Sequence, residues 1–238
     1  MIIIPARLAS SRFPNKILCN IDGVPMFIKS AQNAQAIDEV VLALDSTETY
    51  NIAKQYKIKA VLTHPDIPNG SLRVLEAARI LGLRDDYVII NLQADEPFLE
   101  HHVIRALKDC MQSDTFMATC VKSITNQQAQ NPNLVKVIIN HLQHAIYFSR
   151  SPIPFHRDSK ESTQLSYLGH LGLYGFFKAT LEEYAALPET HLEHIEKLEQ
   201  LRAIYYNKPI KIACVESESI GIDTQEDLEY ARNKYGFQ

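Results

Sequence analysis

The sequence predicts an α/β fold: a mostly parallel, Rossmann-like sheet flanked by helices, with a smaller, partly antiparallel lobe. Three observations carry this reading. Short β-branched runs alternate with helix-length segments through residues 1–111, the apolar runs after residue 115 stand closer together, and a polar, cationic loop follows the first strand directly. Strands separated by helices of this length imply parallel pairing through right-handed crossovers. A chain of 238 residues suits one domain, and it contains no repeat, low-complexity tract or linker. Residues 1–238 therefore read as a single domain, with 115–205 forming the smaller lobe.

The elements follow in order. Residues 2–4 form a first strand that ends at Pro5, since proline cannot continue a central ladder. Residues 26–36 carry apolar side chains near helical spacing, and 40–44 are a β-branched strand. Residues 47–55 form a helix entered through Asp45 and Ser46, both good caps. A strand at 60–63, a helix at 72–81, a strongly apolar strand at 87–92 and a helix at 101–111 complete the first half. Runs at 116–121, 135–140 and 145–149 then read as the antiparallel extension. Residues 151–162, rich in proline, charge and hydroxyls, read as a mobile loop. Residues 192–202 form a helix with Leu192, Ile195, Leu198 and Leu201 along one stripe, followed by a strand at 210–215 and a closing helix at 224–235.

Composition excludes several classes. The net charge is −4 with 22% charged residues, so there is no basic excess for general nucleic-acid binding. No apolar run approaches the roughly 20 residues needed to insert into and cross a bilayer. Met1 begins directly on a strand pattern, which leaves no room for a signal peptide. Cys19, Cys110, Cys120 and Cys214 are dispersed, without a zinc or disulfide pattern; they read as reduced, hence a cytoplasmic protein.

The chemistry concentrates in three places. Arg7, Ser10, Ser11, Arg12 and Lys16 follow the first strand, where open α/β folds bind ligands, and cations with hydroxyls suit a polyphosphate. Asp95 lies just beyond the strand at 87–92, and Asp223 just before the last helix. Two carboxylates so presented can hold Mg²⁺, which prefers hard oxygen ligands. Asp223 can equally be a helix N-cap, and Asp95 a surface-turn residue before Pro97. Arg150 can pair with the carboxylate of an acidic sugar.

Several motifs occur together: the first sixteen residues, Asn91-Leu-Gln-Ala-Asp-Glu-Pro97, Asn131-Pro-Asn-Leu-Val-Lys136, Tyr147-Phe-Ser-Arg-Ser-Pro-Ile-Pro154, His170-Leu-Gly-Leu-Tyr174, the stretch 192–202 and Gly221-Ile-Asp-Thr-Gln-Glu-Asp227. In this order the chain resembles the 3-deoxy-D-manno-octulosonate (Kdo) cytidylyltransferases, or CMP-Kdo synthetases, from Met1 to about Ala231. The resemblance implies transfer of CMP from CTP to the anomeric hydroxyl of Kdo, with release of pyrophosphate, for lipopolysaccharide biosynthesis. It implies that Arg7, Arg12 and Lys16 hold the CTP triphosphate, with Ser10 and Ser11 close by and Arg73 and Gln93 near the nucleotide. Lys16, Asp95 and Asp223 are the implied catalytic residues, the two aspartates binding Mg²⁺. His170, Tyr174, Glu199 and Gln200, with Arg150, are the implied sugar pocket. By themselves, Tyr174 reads equally as a strand aromatic, His170 as a satisfied imidazole and Glu199 as a solvated helix face. A homodimer is implied, with 115–205 as the sugar-binding and dimerisation lobe.

Two departures stand out. The family usually has Ser-Gly-Thr-Asp-Arg where this chain has Asn69-Gly-Ser-Leu-Arg73, and Gly where this chain has Ala94. Leu72 removes a charge beside the nucleotide, and Ala94 adds a methyl where a ligand can approach. Alternatives are a cytidylyltransferase for 8-amino-Kdo or another acidic sugar such as a sialic acid, and a non-catalytic nucleotide-binding homologue.

Overall fold

The computed structural model describes residues 1–8, 13–157 and 167–237. The elements are β1 (Ile2–Ala6), β2 (Asn20–Ile21), β3 (Val24–Pro25), α1 (Met26–Ala34), β4 (Val40–Leu44), α2 (Thr47–Gln55), β5 (Ala60–Leu62), α3 (Gly70–Ile80), β6 (Val88–Leu92) and α4 (His101–Asp109). They continue with β7 (Met117–Ile124), α5 (Asn126–Ala129), β8 (Lys136–Ile139), β9 (Ala145–Ser149), β10 (Tyr167–Phe177), α6 (Lys178–Ala186), α7 (His191–Glu196), α8 (Leu201–Tyr205), β11 (Ile210–Cys214) and α9 (Gln225–Tyr235).

The main sheet runs β11-β7-β10-β6-β1-β4-β5, with β8 and β9 attached through β10. Pairings β5–β4, β4–β1, β1–β6 and β7–β11 are parallel, whereas β10 lies antiparallel to β6, β7 and β8. The fold is thus α/β with a mostly parallel sheet flanked by helices. Alternate strand residues feed two cores. Ile2 and Ile4 pack with Phe27, Ile28, Val103 and Leu107 on one face; Ile3 packs with Val74, Ala78, Leu181 and Tyr184 on the other. A strand buried on both faces reads as an unbroken apolar run, which is why β1, β4 and β6 are obvious in the sequence.

Pro5 does not end the first strand, contrary to expectation; β1 continues to Ala6 and pairs with β4 throughout. The Ile2 N–H donates to the Glu39 carbonyl on the β4 side, so the alternation turns residue 5 toward β6. Pairing with β6 covers only Ile2 and Ile3. No ladder partner faces Pro5 there, and its missing N–H costs nothing.

The expected helix at 192–202 is also two helices. Lys197 takes a left-handed conformation, φ 52°, between α7 and α8. Ile195, placed on the apolar stripe by spacing, is 65% exposed. The break matters for the site because it puts Glu199 and Gln200 on a turn. β10 and α6, together with the short β2, β3 and α5, lie outside the expected set.

Candidate active site

A cleft of about 860 Å³ opens where the chain leaves β1 and β6, at their carboxyl ends. Its lining includes Arg7, Lys16, Arg73, Gln93, Asp95, Asp223, His170, Tyr174, Glu199 and Gln200. Ser10, Ser11 and Arg12 lie outside the described residues.

At its centre the Lys16 ammonium lies 2.5 Å from Asp95 Oδ2 and 2.6 Å from Asp223 Oδ1. Lys16 starts a single 3₁₀ turn, Lys16–Leu18, entered through Asn15 at φ 56°. Burial alone would lower its pKa, but the two carboxylates outweigh burial and hold it above the usual 10.5. The loops carrying the aspartates are also joined: the Ile222 N–H donates to the Asp95 carbonyl at 2.9 Å. Asp223 is not the cap of the last helix. Thr224 caps α9, and Asp227 accepts from the N–H groups of Asp223 and Thr224.

Two carboxylates converging on one cation fit a divalent ion that takes hard oxygen ligands. Among the described residues there is no group of three or more His, Cys, Asp or Glu able to hold a metal. An ion here would need substrate oxygens and water to complete its shell, as Mg²⁺ does beside phosphates.

On the nucleotide side, the Asp45 carboxylate accepts from the Leu8 N–H at 3.2 Å and anchors the start of the leading loop. Arg73 is buried, and its guanidinium donates to Thr63 Oγ1 and to the carbonyls of His64, Pro65 and Ile67. It shapes the wall beneath Pro68–Gly70 while facing the cleft. Gln93 Nε2 donates to Asn91 Oδ1, and Asn91 Nδ2 to Ser71 Oγ, which fixes the amide's orientation at the rim. Leu72 lies in the first turn of α3, its N–H accepted by the Asn69 cap. Ala94 lines the cleft floor, joins the apolar core of the α1–α4 face, and its carbonyl accepts from Ser30.

On the opposite wall, His170 Nε2 meets Thr119 Oγ1 at 2.9 Å, and burial pushes its pKa down to about 3, so the ring is neutral. Tyr174 donates to Gln200 Oε1 at 3.0 Å, leaving Gln200 Nε2 enclosed without a partner among the described residues. Glu199 Oε2 accepts from the Ser71 N–H at 3.4 Å; burial raises its pKa to about 7 against that bond.

Arg150 is not brought to the cleft lining. Its guanidinium donates to the carbonyls of Glu196, Pro132 and Lys197. Glu196 and Lys197 are the end of α7, where backbone carbonyls lack helical partners, so Arg150 acts as a C-terminal cap. The Glu196 carboxylate in turn accepts from the Arg150 N–H and the Ser149 hydroxyl.

Sequence reasoning passed over Glu96. One of its oxygens is enclosed without a partner among the described residues, and burial, with Asp95 adding to it, raises its pKa to about 8. A Cβ on Gly221 would come within 2.9 Å of its other oxygen. The available signal was an acid directly beside Asp95. Lys122 was also missed; a single lysine within a strand run gives no such signal.

The chain matches the Cytidylyltransferase family over residues 1–212. It is 54% identical to a 3-deoxy-manno-octulosonate cytidylyltransferase of Helicobacter pylori, over 97% of this chain and 96% of that protein. The protein of the same name from Wolinella succinogenes is 49% identical over 99% of both chains. Among solved structures, a CMP:2-keto-3-deoxy-manno-octonic acid synthetase complexed with CTP superimposes with a TM-score of 0.89. The two chains are 34% identical, the match covering 99% of this one and 97% of that one.

Proposed function

The chain belongs to the cytidylyltransferase family, and from that premise we propose that it transfers CMP from CTP to the anomeric hydroxyl of Kdo, releasing pyrophosphate. The observation that carries the reading is the Lys16 ammonium bridging Asp95 and Asp223 at the centre of the cleft. It supports a site built to gather cations around a triphosphate.

In this reading Arg7 and Lys16, with Arg12, Ser10 and Ser11 of the leading loop, grip the triphosphate. Lys16 neutralises the charge that accumulates on pyrophosphate as its bond breaks. Transfers of this type depend on positioning and charge neutralisation more than on covalent chemistry by the protein. Asp95 and Asp223 would hold Mg²⁺, which when bound polarises the α-phosphate and lowers the pKa of the attacking hydroxyl. Gln93, held by Asn91, offers a donor and an acceptor to the cytosine edge, with Arg73 shaping the wall behind it.

His170, Tyr174, Glu199 and Gln200 line the sugar side; Gln200 Nε2, without a partner among the described residues, can donate to a sugar hydroxyl that reaches it. Arg150 supports this wall by capping α7. The sugar-binding and dimerisation lobe of the single domain is 115–205, and exposed Leu142 and Ile146 on the β8–β9 hairpin support its use in a homodimer. Among the described residues no helix is long and apolar enough to cross a membrane, and we place the enzyme in the cytoplasm.

The test is pyrophosphate release from CTP and Kdo with Mg²⁺, run beside 8-amino-Kdo and a sialic acid. Activity with Kdo that Asp95→Asn and Asp223→Asn each reduce by two orders of magnitude or more supports the reading. Preference for another sugar, or tight CTP binding without turnover, overturns it.

A further inference from the structure

Residues 215–223 connect β11 to α9 without regular structure, yet Ser219 is only 3% exposed. A segment of that kind needs partners for its backbone from elsewhere. Here they come from three directions. From α4 and its cap, the Glu100 carboxylate accepts the Ser217 hydroxyl and the Glu218 N–H, both at 2.7 Å, and the His102 ring meets the Glu216 carbonyl at 2.6 Å. From α9, Lys234 donates to the Glu218 carbonyl at 2.7 Å. From the sheet, Lys122 on β7 donates to the Ser219 carbonyl at 2.8 Å.

Beyond Ser219 the chain has little freedom before Asp223. The Ile222 N–H is tied to the Asp95 carbonyl, and Gly221 passes so close to Glu96 that a Cβ there would stand 2.9 Å from its Oε1. The Asp223 carboxylate therefore reaches the cleft from a strap fixed at 217–219 by Glu100 and Lys122 and at 222 by the Asp95 loop. Lys122 is half-buried at the cleft edge: burial lowers its pKa, with Glu96 and Glu100 opposing. Removing it leaves the buried end of the strap without its donor.

We propose that Lys122 and Glu100 are positioning residues that set the separation of the Asp223 and Asp95 carboxylates at the value a divalent cation requires. The proposal rests on the reading that those two aspartates hold the ion. Groups that orient metal ligands without touching the metal typically contribute 10- to 100-fold to its affinity.

The test measures Mn²⁺ affinity of the full chain with CTP, from the electron paramagnetic resonance of free Mn²⁺, and CTP affinity in EDTA by calorimetry. In Lys122→Met and Glu100→Gln, Mn²⁺ affinity falls about 10- to 100-fold, CTP affinity in EDTA stays within about twofold, and Lys122→Arg recovers most of the loss. Asp95→Asn separates the two ideas. Should it leave Mn²⁺ affinity unchanged, the aspartates do not hold the ion and both readings fail. Should it abolish Mn²⁺ binding while Lys122→Met and Glu100→Gln bind normally, only the strap proposal is overturned. Parallel loss of both affinities with a lowered melting temperature also overturns it, since Lys122 would then serve only the fold.

Discussion

Across the break between α7 and α8, the Arg202 guanidinium donates to both oxygens of the Glu193 carboxylate, at 2.6 and 2.9 Å. Both residues are buried, so each neutralises a charge that the interior would otherwise reject. The pair clamps the turn that carries Glu199 and Gln200. Removing one partner of such a pair leaves an uncompensated charge and costs about 3–5 kcal/mol. Arg202→Ala is expected to lose that much in urea unfolding. At temperatures where the variant stays folded, its KM for Kdo should rise more than its KM for CTP; an equal rise in both would detach the clamp from the sugar wall.

Lys16 yields a second prediction. Lys16→Met removes the cation between Asp95 and Asp223 and should lower kcat for pyrophosphate release by about 10²–10³, the usual effect of losing one group that stabilises developing charge. Its folded pKa is raised above 10.5, so it stabilises the fold fully below pH 10.5 and that contribution disappears as pH rises through the folded value. Wild type should therefore lose its stability advantage over Lys16→Met only above pH 10.5, in unfolding curves taken from pH 9 to 12. A constant difference across that range would contradict the linkage.

What could be read in the sequence, and what could not, follows from where partners sit along the chain. Asp95 and Asp223 were legible because each stands where an element ends, one past a buried strand and one before a helix. Strands β1, β4 and β6 were legible because burial on both faces leaves only apolar residues. β10 was not: Gly169, Gly172 and Gly175 interrupt its alternation, and two of them are explained only by neighbours distant in sequence. The break at Lys197 has no local cue, because the Glu193–Arg202 pair that secures it is a tertiary contact. Arg150 shows the same limit. Sequence supplies a cation but does not say which oxygens claim it, and here the end of α7 does.

Glu199 should make stability pH-dependent. Burial raises its pKa from 4.5 to about 7, so the fold favours its protonated form. That contribution is fully present below pH 4.5 and is lost as pH rises through about 7; a tenfold difference in proton affinity between the folded and unfolded chain is worth about 1.4 kcal/mol. Glu199→Gln, which cannot ionise, should gain on wild type by about 1–3 kcal/mol between pH 4.5 and 8. Urea unfolding at the two ends of that window measures it. A difference between the proteins that does not change with pH would show that Glu199 titrates as an ordinary exposed carboxylate.

Gly169 lies in β10 opposite Lys122 of β7 and beside Lys136 of β8, at the junction of sheet and lobe. A Cβ there would stand 2.8 Å from Ile124 Cγ2 and 3.3 Å from Leu134 Cδ1. Ile124 is β-branched and has few alternative rotamers, so it gives way poorly. Gly169→Ala is expected to destabilise by about 1–3 kcal/mol through overpacking. Adding Ile124→Ala, which supplies the missing room, should make the double variant more stable than the sum of the single losses allows, a coupling of at least about 0.5 kcal/mol. Simple additivity in denaturant melts would show that the cost lies in strand backbone and not in this contact.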